Sequence, residues 1–247
     1  MSLLLHYKMN DNAANSTVAD ASGNGRHGTL YANTTPANTD TVDAAGKIGG
    51  ALQFTATSNH NIIAPATTPA GTYAIALWVY FNSFGADGNA WVACQRTATS
   101  GASQNWQIIR YASDNNNLRL IHWTEANFFD TTLIVNPSLA AWYHVAAVVD
   151  ASAHKTTPYV NGTAGTEVSF TGTPYNGASN LRIGCTGWGT PSLYLNALLD
   201  DFRIYDEALT AAKIQAIYNG GAGSEHPQPW FRPMWAAHQQ QFLSGAA

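Results

Sequence analysis

Apolar residues along this chain fall in short runs punctuated by Gly, Asn, Thr and Pro, which is the signature of many short strands rather than long helices. Leu3–Met9 alternates apolar and polar positions before the polar stretch Asn10–Asp20. Ala51–Phe54 and Asn61–Ala64 are brief runs, and Tyr73–Phe81 (YAIALWVYF) predicts a strand buried on both faces. Trp91–Gln95, Trp106–Tyr111 and Leu118–Trp123 follow, the last two joined by a hairpin turn at Ser113–Asn117. Trp142–Val149, Thr157–Val160, Leu181–Cys185 and Leu198–Tyr205 complete the set. The fold class is therefore all-β, a two-sheet antiparallel sandwich. One short C-terminal helix is expected: Thr210 caps it, Ile214, Ile217 and Tyr218 form its apolar face, and Asn219-Gly220-Gly221 stops it.

The composition agrees with that pattern. Of 247 residues, 45% are apolar, enough for a full core, and only 11% are charged. The polar surface must then come from Asn, Thr, Ser and Gly, residues of turns and strands. The net charge of −4 and scattered Lys and Arg leave no basic run to release counterions, so no nucleic-acid partner is expected. Nothing reaches membrane-spanning length. Cys94 and Cys185 sit in apolar runs and read as buried free thiols in preference to a disulfide. The opening Met1–Lys8 contains no apolar stretch of signal-peptide length. The expectation is a leader removed beforehand, or exit from the cell without one, as on a virus particle released by lysis.

After Asn219 the composition shifts. Residues 220–224 read as a linker, and His226–Leu243 is dense in Pro and Trp. Pro233 can open a short turn of helix that brings Trp235, His238 and Phe242 towards one face. Trp230, Phe231, Met234, Trp235 and Phe242 are the partner-docking candidates, because so much apolar surface needs a cover. Residues 1–219 are thus read as the sandwich and residues 220–247 as a linker and docking tail.

Several segments resemble, in order, the laminin-G-like domain of the concanavalin-A-like lectin/glucanase superfamily. Asp20–Leu30 (DASGNGRHGTL) is similar to that family's glycine-rich turn, and Gly49–Phe54 (GGALQF) to one of its strands. Tyr73–Tyr80, Trp142–Ala146 and Tyr159–Gly162 resemble further strand segments. Leu198–Tyr218, with Asp200-Asp201-Phe202-Arg203-Ile204-Tyr205, is similar to the closing strand and helix. The resemblance implies a jelly-roll sandwich. It also implies a structural calcium between the closing strand and an N-terminal loop, with Asp20, backbone carbonyls at Gly23 and Asn24, and Asp200 as ligands. Strand parity expects Asp200 to point inward with Phe202 and Ile204. The alternative is that Asp200 caps loop amides or pairs with Arg26 or Arg203.

Catalysis is not expected. Glycosidases on such folds need two carboxyls across one groove, and the resembling glucanases carry Glu-x-Asp-x-x-Glu. This chain has only Glu125, Glu167, Glu207 and Glu225, in no such pattern, and no nucleophile elbow or phosphate loop. The eight His are dispersed, so zinc is not expected, and His144 reads as a core or sheet-face histidine.

Sugar recognition sets aromatic rings against pyranose faces and uses polar groups to orient hydroxyls. Trp188, Trp123, Arg110 and Tyr111 combine these chemistries and are the ligand-binding candidates; for Trp106 and Trp123, core packing is the competing reading. The sequence thus predicts a non-catalytic, extracellular or virion-surface binding module whose activity is carbohydrate adhesion. Its partners would be a glycan and other structural subunits reached through the tail, as in a phage decoration or tail protein. A secreted lectin-like module is the alternative, and a glycoside hydrolase the more distant one.

Overall fold

The computed structural model describes residues 3–67, 71–84, 88–96, 104–187 and 190–224. In chain order the strands are β1 (Leu3–Tyr7), β2 (Thr17–Val18), β3 (Gly28–Ala32), β4 (Thr35–Pro36), β5 (Asp43–Ala45), β6 (Gly50–Phe54), β7 (Asn61–Ala64), β8 (Tyr73–Phe81) and β9 (Ala90–Arg96). There follow β10 (Gln104–Arg110), β11 (Leu118–Trp123), β12 (Phe128–Ile134), β13 (Trp142–Asp150), β14 (Lys155–Val160), β15 (Thr163–Ala164), β16 (Val168–Ser169), β17 (Leu181–Ile183) and β18 (Ala197–Tyr205). One helix, α1 (Ala211–Tyr218), closes the described chain.

The strands form two antiparallel sheets that sandwich one core. The first runs β15-β14-β13-β8-β18-β6-β5, with β1 also on β18 and β16 on β14. The second runs β12-β11-β10-β9-β17-β7-β3-β2, with β4 on β3. Leu5, Phe54, Ile75, Leu77 and Phe202 from the first sheet meet Leu30, Ile62, Val92, Ile108 and Leu120 from the second in a single buried cluster. At about 1.5–3 kcal/mol per fully buried large apolar side chain, this interface dominates the stability.

The unbroken apolar run of β8 has a specific cause. Ile75, Leu77 and Val79 face the other sheet, while Ala74 and Ala76 face outward beneath α1, where Ile214 and Ile217 pack on them. Small alanines let the helix approach, so both faces of β8 are dry. Thr210 caps α1 by accepting from the Lys213 N–H, and Asn219 ends it at φ 48°. The short strands β2 to β5, β15 and β16 were not expected, and two further features depart from the sequence reading. β12 carries no clean alternation in FFDTTLI and was not expected; it pairs along the whole of β11. Residues 219–224 are no free linker, because they fold over the first sheet and the Arg203 guanidinium donates to the Ser224 carbonyl.

β18 holds the sheet together and also carries its main irregularity. Along one edge it pairs with β8; along the other it pairs first with β6 (Ala197–Leu199) and then with β1 (Phe202–Tyr205). At the handover the register shifts and Asp201 takes φ 53°. Such a bulge inserts one residue and inverts the facing of everything beyond it. Leu199 and Phe202 therefore both face the core, and Asp200, opposite Trp78, faces outward. The inward Asp200 expected from simple alternation is thereby corrected.

Candidate functional site

The outward face of the second sheet gathers aromatic, amide and guanidinium groups. Cross-strand partners share a face, so Ile121 and Trp123 of β11 stand with Ile109 and Gln107 of β10, with Trp91 and Cys94 of β9, and with Asp130 and Phe128 of β12. Trp91, Cys94, Ile109 and Ile121 form a buried apolar floor on which half-buried Tyr111 and Trp123 pack. Above it the polar groups are held firmly. Gln107 Oε1 accepts from Trp91 Nε1 (3.1 Å) and from Arg96 Nη1 (3.0 Å). That bond aims the Arg96 guanidinium over Trp123, 4.6 Å from the ring centre.

Tyr111 sits under a second guanidinium, that of Arg119, at 5.5 Å. Arg119 is fixed by Asp130 (2.6 Å) and by Asp114. Burial works against its charge, but these hydrogen bonds outweigh it and raise the pKa; the same contact lowers that of Asp114. Phe128, opposite Trp123, is 56% exposed. The result is a ridge of rings with two cations and the Gln107 amide, its geometry fixed before any ligand arrives. Trp123 and Tyr111 are brought together here; Arg96, Gln107, Arg119 and Phe128 were missed by the sequence reading. Phe128 carried no signal, since its strand was not legible.

Arg110 is not part of this face. Its neighbours Ala90 and Leu118 point into the core, and its side chain turns inward at the end of the sandwich, bonding Asn116 Oδ1 (2.6 Å) and the Gly88 carbonyl. Trp106 is a core residue whose Nε1 donates to Gln95 Oε1 (3.2 Å). Trp188 lies outside the described residues, as do Trp230, Phe231, Met234, Trp235 and Phe242. Cys94 and Cys185 are both free and buried.

The expected calcium ligands do not form one site. Asp20 Oδ1 accepts from the N–H groups of His6 (3.1 Å) and Ser22 (2.9 Å), and Oδ2 from Ser22 Oγ (2.8 Å) and the Arg26 N–H (2.9 Å). Burial raises its pKa, but this set of donors outweighs burial and the net shift is downward. Four donors satisfy the carboxylate without a cation. The Asn24 side chain braces the turn, its Nδ2 donating to the Leu3 and Leu4 carbonyls, and Gly23 serves the turn with φ 88°. Asp200 belongs to another neighbourhood, where its Oδ2 accepts from the Ile48 N–H at 2.7 Å. Asp20, Gly23, Asn24 and Asp200 do not fit a shared ion, and among the described residues no group of three or more His, Cys, Asp or Glu is placed to hold a metal.

The profile of a concanavalin A-like lectin/glucanases family matches residues 53–215. The chain belongs to the concanavalin A-like lectin/glucanases superfamily. Compared by sequence with curated proteins, it has no match. In three dimensions this family member is similar to domain 4 of AbnA, a GH43 extracellular arabinanase from Geobacillus stearothermophilus solved in complex with arabinotriose. The TM-score is 0.64 and the identity 22%, over 90% of this chain and 98% of that one. It is also similar to the binding domain of Paraclostridial Mosquitocidal Protein 1 (TM-score 0.65, 17% identity, 89% of this chain and 52% of that one). Botulinum neurotoxin type C, whose cell entry depends on interaction with two ganglioside molecules, gives a TM-score of 0.65 at 15% identity over 90% and 52% of the two chains. The chain spans about half the length of these toxin structures. At such identities the likeness establishes the shared sandwich.

Proposed function

We propose that this chain is a non-catalytic carbohydrate-binding module whose ligand lies across the outward face of the second sheet. The observation that carries the reading is the pair of rings, Trp123 and Tyr111, each locked under a guanidinium and continued by exposed Phe128. Flat apolar surface beside charged and amide donors is what a sugar ring with equatorial hydroxyls requires. Arabinotriose bound to the AbnA domain, and the ganglioside dependence of the type C neurotoxin, support a glycan as the class of ligand. An extracellular or virion-surface setting follows from that reading, since glycans are met there.

The carboxylates support the absence of catalysis. Asp114 and Asp130 both bond Arg119, and the Asp114 pKa is lowered, the wrong direction for a general acid. Glu167 pairs with Lys155 and Glu207 with Lys213, both on the first-sheet side of the molecule. The test is calorimetric titration with arabino-oligosaccharides and a glycan array. Phe128→Ala and Trp123→Ala should each weaken binding at least tenfold, about 1.4 kcal/mol, while Phe128→Ala leaves the unfolding midpoint unchanged. Unaltered binding in both variants would remove this face from the proposal. Display through the aromatic tail is tested separately: loss of residues 225–247 should abolish particle assembly and leave glycan binding intact.

A further inference from the structure

A cavity opens where the β8–β9, β10–β11 and β17–β18 connections converge on Arg110. Its volume is about 230 Å³, and it adjoins a second of about 280 Å³ that shares Ala56, Phe84, Arg110 and Tyr194. Each lies just below the roughly 300–1,000 Å³ typical of sites for drug-sized ligands, so the occupant is a single small unit or a chain end.

Arg110 makes this cavity unusual. It is 3% exposed, and no carboxylate among the described residues lies within ion-pair distance of it. Two other arginines carry counter-charges. Arg203 is equally buried and is paired with Asp201, and Arg119 has two aspartates. A buried cation without a counter-charge is costly. Asn116 Oδ1, the Gly88 carbonyl and the Phe84 ring at 5.5 Å offset part of that cost with neutral groups, and among the described residues two of the five guanidinium N–H donors are used. Burial lowers the Arg110 pKa, as expected of a cation lacking its partner.

The rest of the lining identifies the kind of anion. Phe84 and Tyr194 supply ring surface. Asn89 Oδ1 is taken by the Ala112 N–H, which leaves its NH2 to donate, and Asn196 Nδ2 is taken by Ser83 Oγ, which leaves its oxygen to accept. Aromatic walls with one donor and one acceptor match a hydroxylated ring, and the planar guanidinium fork matches a carboxylate. We infer that the Arg110 cavity binds the carboxylate of an acidic sugar, a uronate unit or uronate chain end. This site is separate from the ring-lined outward face, because Arg110 shares the inward face with Ala90 and Leu118 while Trp123 lies on the opposite one.

The experiment is low-salt titration of the full chain with glucuronate, glucose, acetate and sulfate, read by calorimetry and by side-chain amide resonances. Glucuronate should saturate and shift the Asn89 and Asn196 amides, with glucose, acetate and sulfate each at least tenfold weaker. Arg110→Gln should lose glucuronate binding at least tenfold, Arg110→Lys should recover part of it, and Trp123→Ala should leave it unchanged. Glucose or sulfate binding as tightly as glucuronate, unchanged affinity in Arg110→Gln, or no shift at Asn89 and Asn196 in the wild type would overturn the inference. The wild-type amide shifts decide the matter even if Arg110→Gln fails to fold. Loss of arabino-oligosaccharide binding alone would bear on the outward face and not on this cavity.

Discussion

His6 Nε2 lies 2.7 Å from Asp201 Oδ1, a contact between residues 195 positions apart that ties the first strand to the bulge of the last. The same oxygen accepts from Arg203 Nε (3.0 Å) and Nη2 (2.8 Å), and all three side chains are buried. Removing one member of a buried charge pair leaves the other uncompensated, at about 3–5 kcal/mol. Asp201→Ala should therefore lower the urea unfolding free energy by that order. Asp201→Asn, which keeps an acceptor, should cost less. Equal stability of Asp201→Ala and wild type would show that the network contributes nothing.

Two buried histidines predict acid sensitivity. Burial pushes the pKa of both His122 and His144 down to about 4. In the folded state they stay neutral, whereas unfolded imidazoles take up a proton near 6.5. Their contribution is fully present above about pH 6.5, is lost as pH falls from there towards 4, and levels off below. Over that window the loss approaches about 3 kcal/mol for each histidine. His122 packs on Phe129 and edge-on to Phe170, so His122→Phe should fit and flatten the melting temperature against pH by its share. An unchanged profile in that variant would show that His122 is not a source of the dependence.

Asp20 acts as an amide clamp for its turn. Asp20→Ala would orphan N–H groups of His6, Ser22 and Arg26, at about 1–3 kcal/mol for the buried ones. The expected loss is the same in calcium and in EDTA, because protein donors already fill both oxygens. A loss seen only with calcium present would assign Asp20 to an ion after all.

Cys94 and Cys185 predict kinetic silence. Burial raises both thiol pKa values, that of Cys185 to about 11 and that of Cys94 further. A thiol reagent should leave both unmodified in the native protein at pH 7.5 and react with both once urea unfolds it. Fast reaction in the native state would mean that the β9 and β17 region opens readily.

The sandwich was legible in the sequence because most strands carry their own record. Tyr73–Phe81 and Trp142–Asp150 are apolar on both faces, and the Thr210 cap and Asn219 stop bound α1 through local chemistry alone. Phe128–Ile134 was not legible: its exposed face carries Phe128 and its buried face Thr131, which blurs the alternation that burial on one side imposes. Trp123 and Tyr111 were legible as candidates by residue type, but nothing local indicated that Arg96 and Arg119 would lie over them.

Sheet class, most of the strands and the helix were thus determined by residue order, since hydrophobic periodicity and capping act within a few positions of one another. The facing of Asp200 was decided elsewhere. It depends on β18 exchanging β6 for β1 as its neighbour, which forces a bulge at Asp201 and reverses the parity that the sequence implies. The setting of Arg110, without a carboxylate beside it among the described residues, and the guanidinium-covered rings were likewise decided by tertiary structure, because each is a contact between strands whose pairing no local pattern specifies.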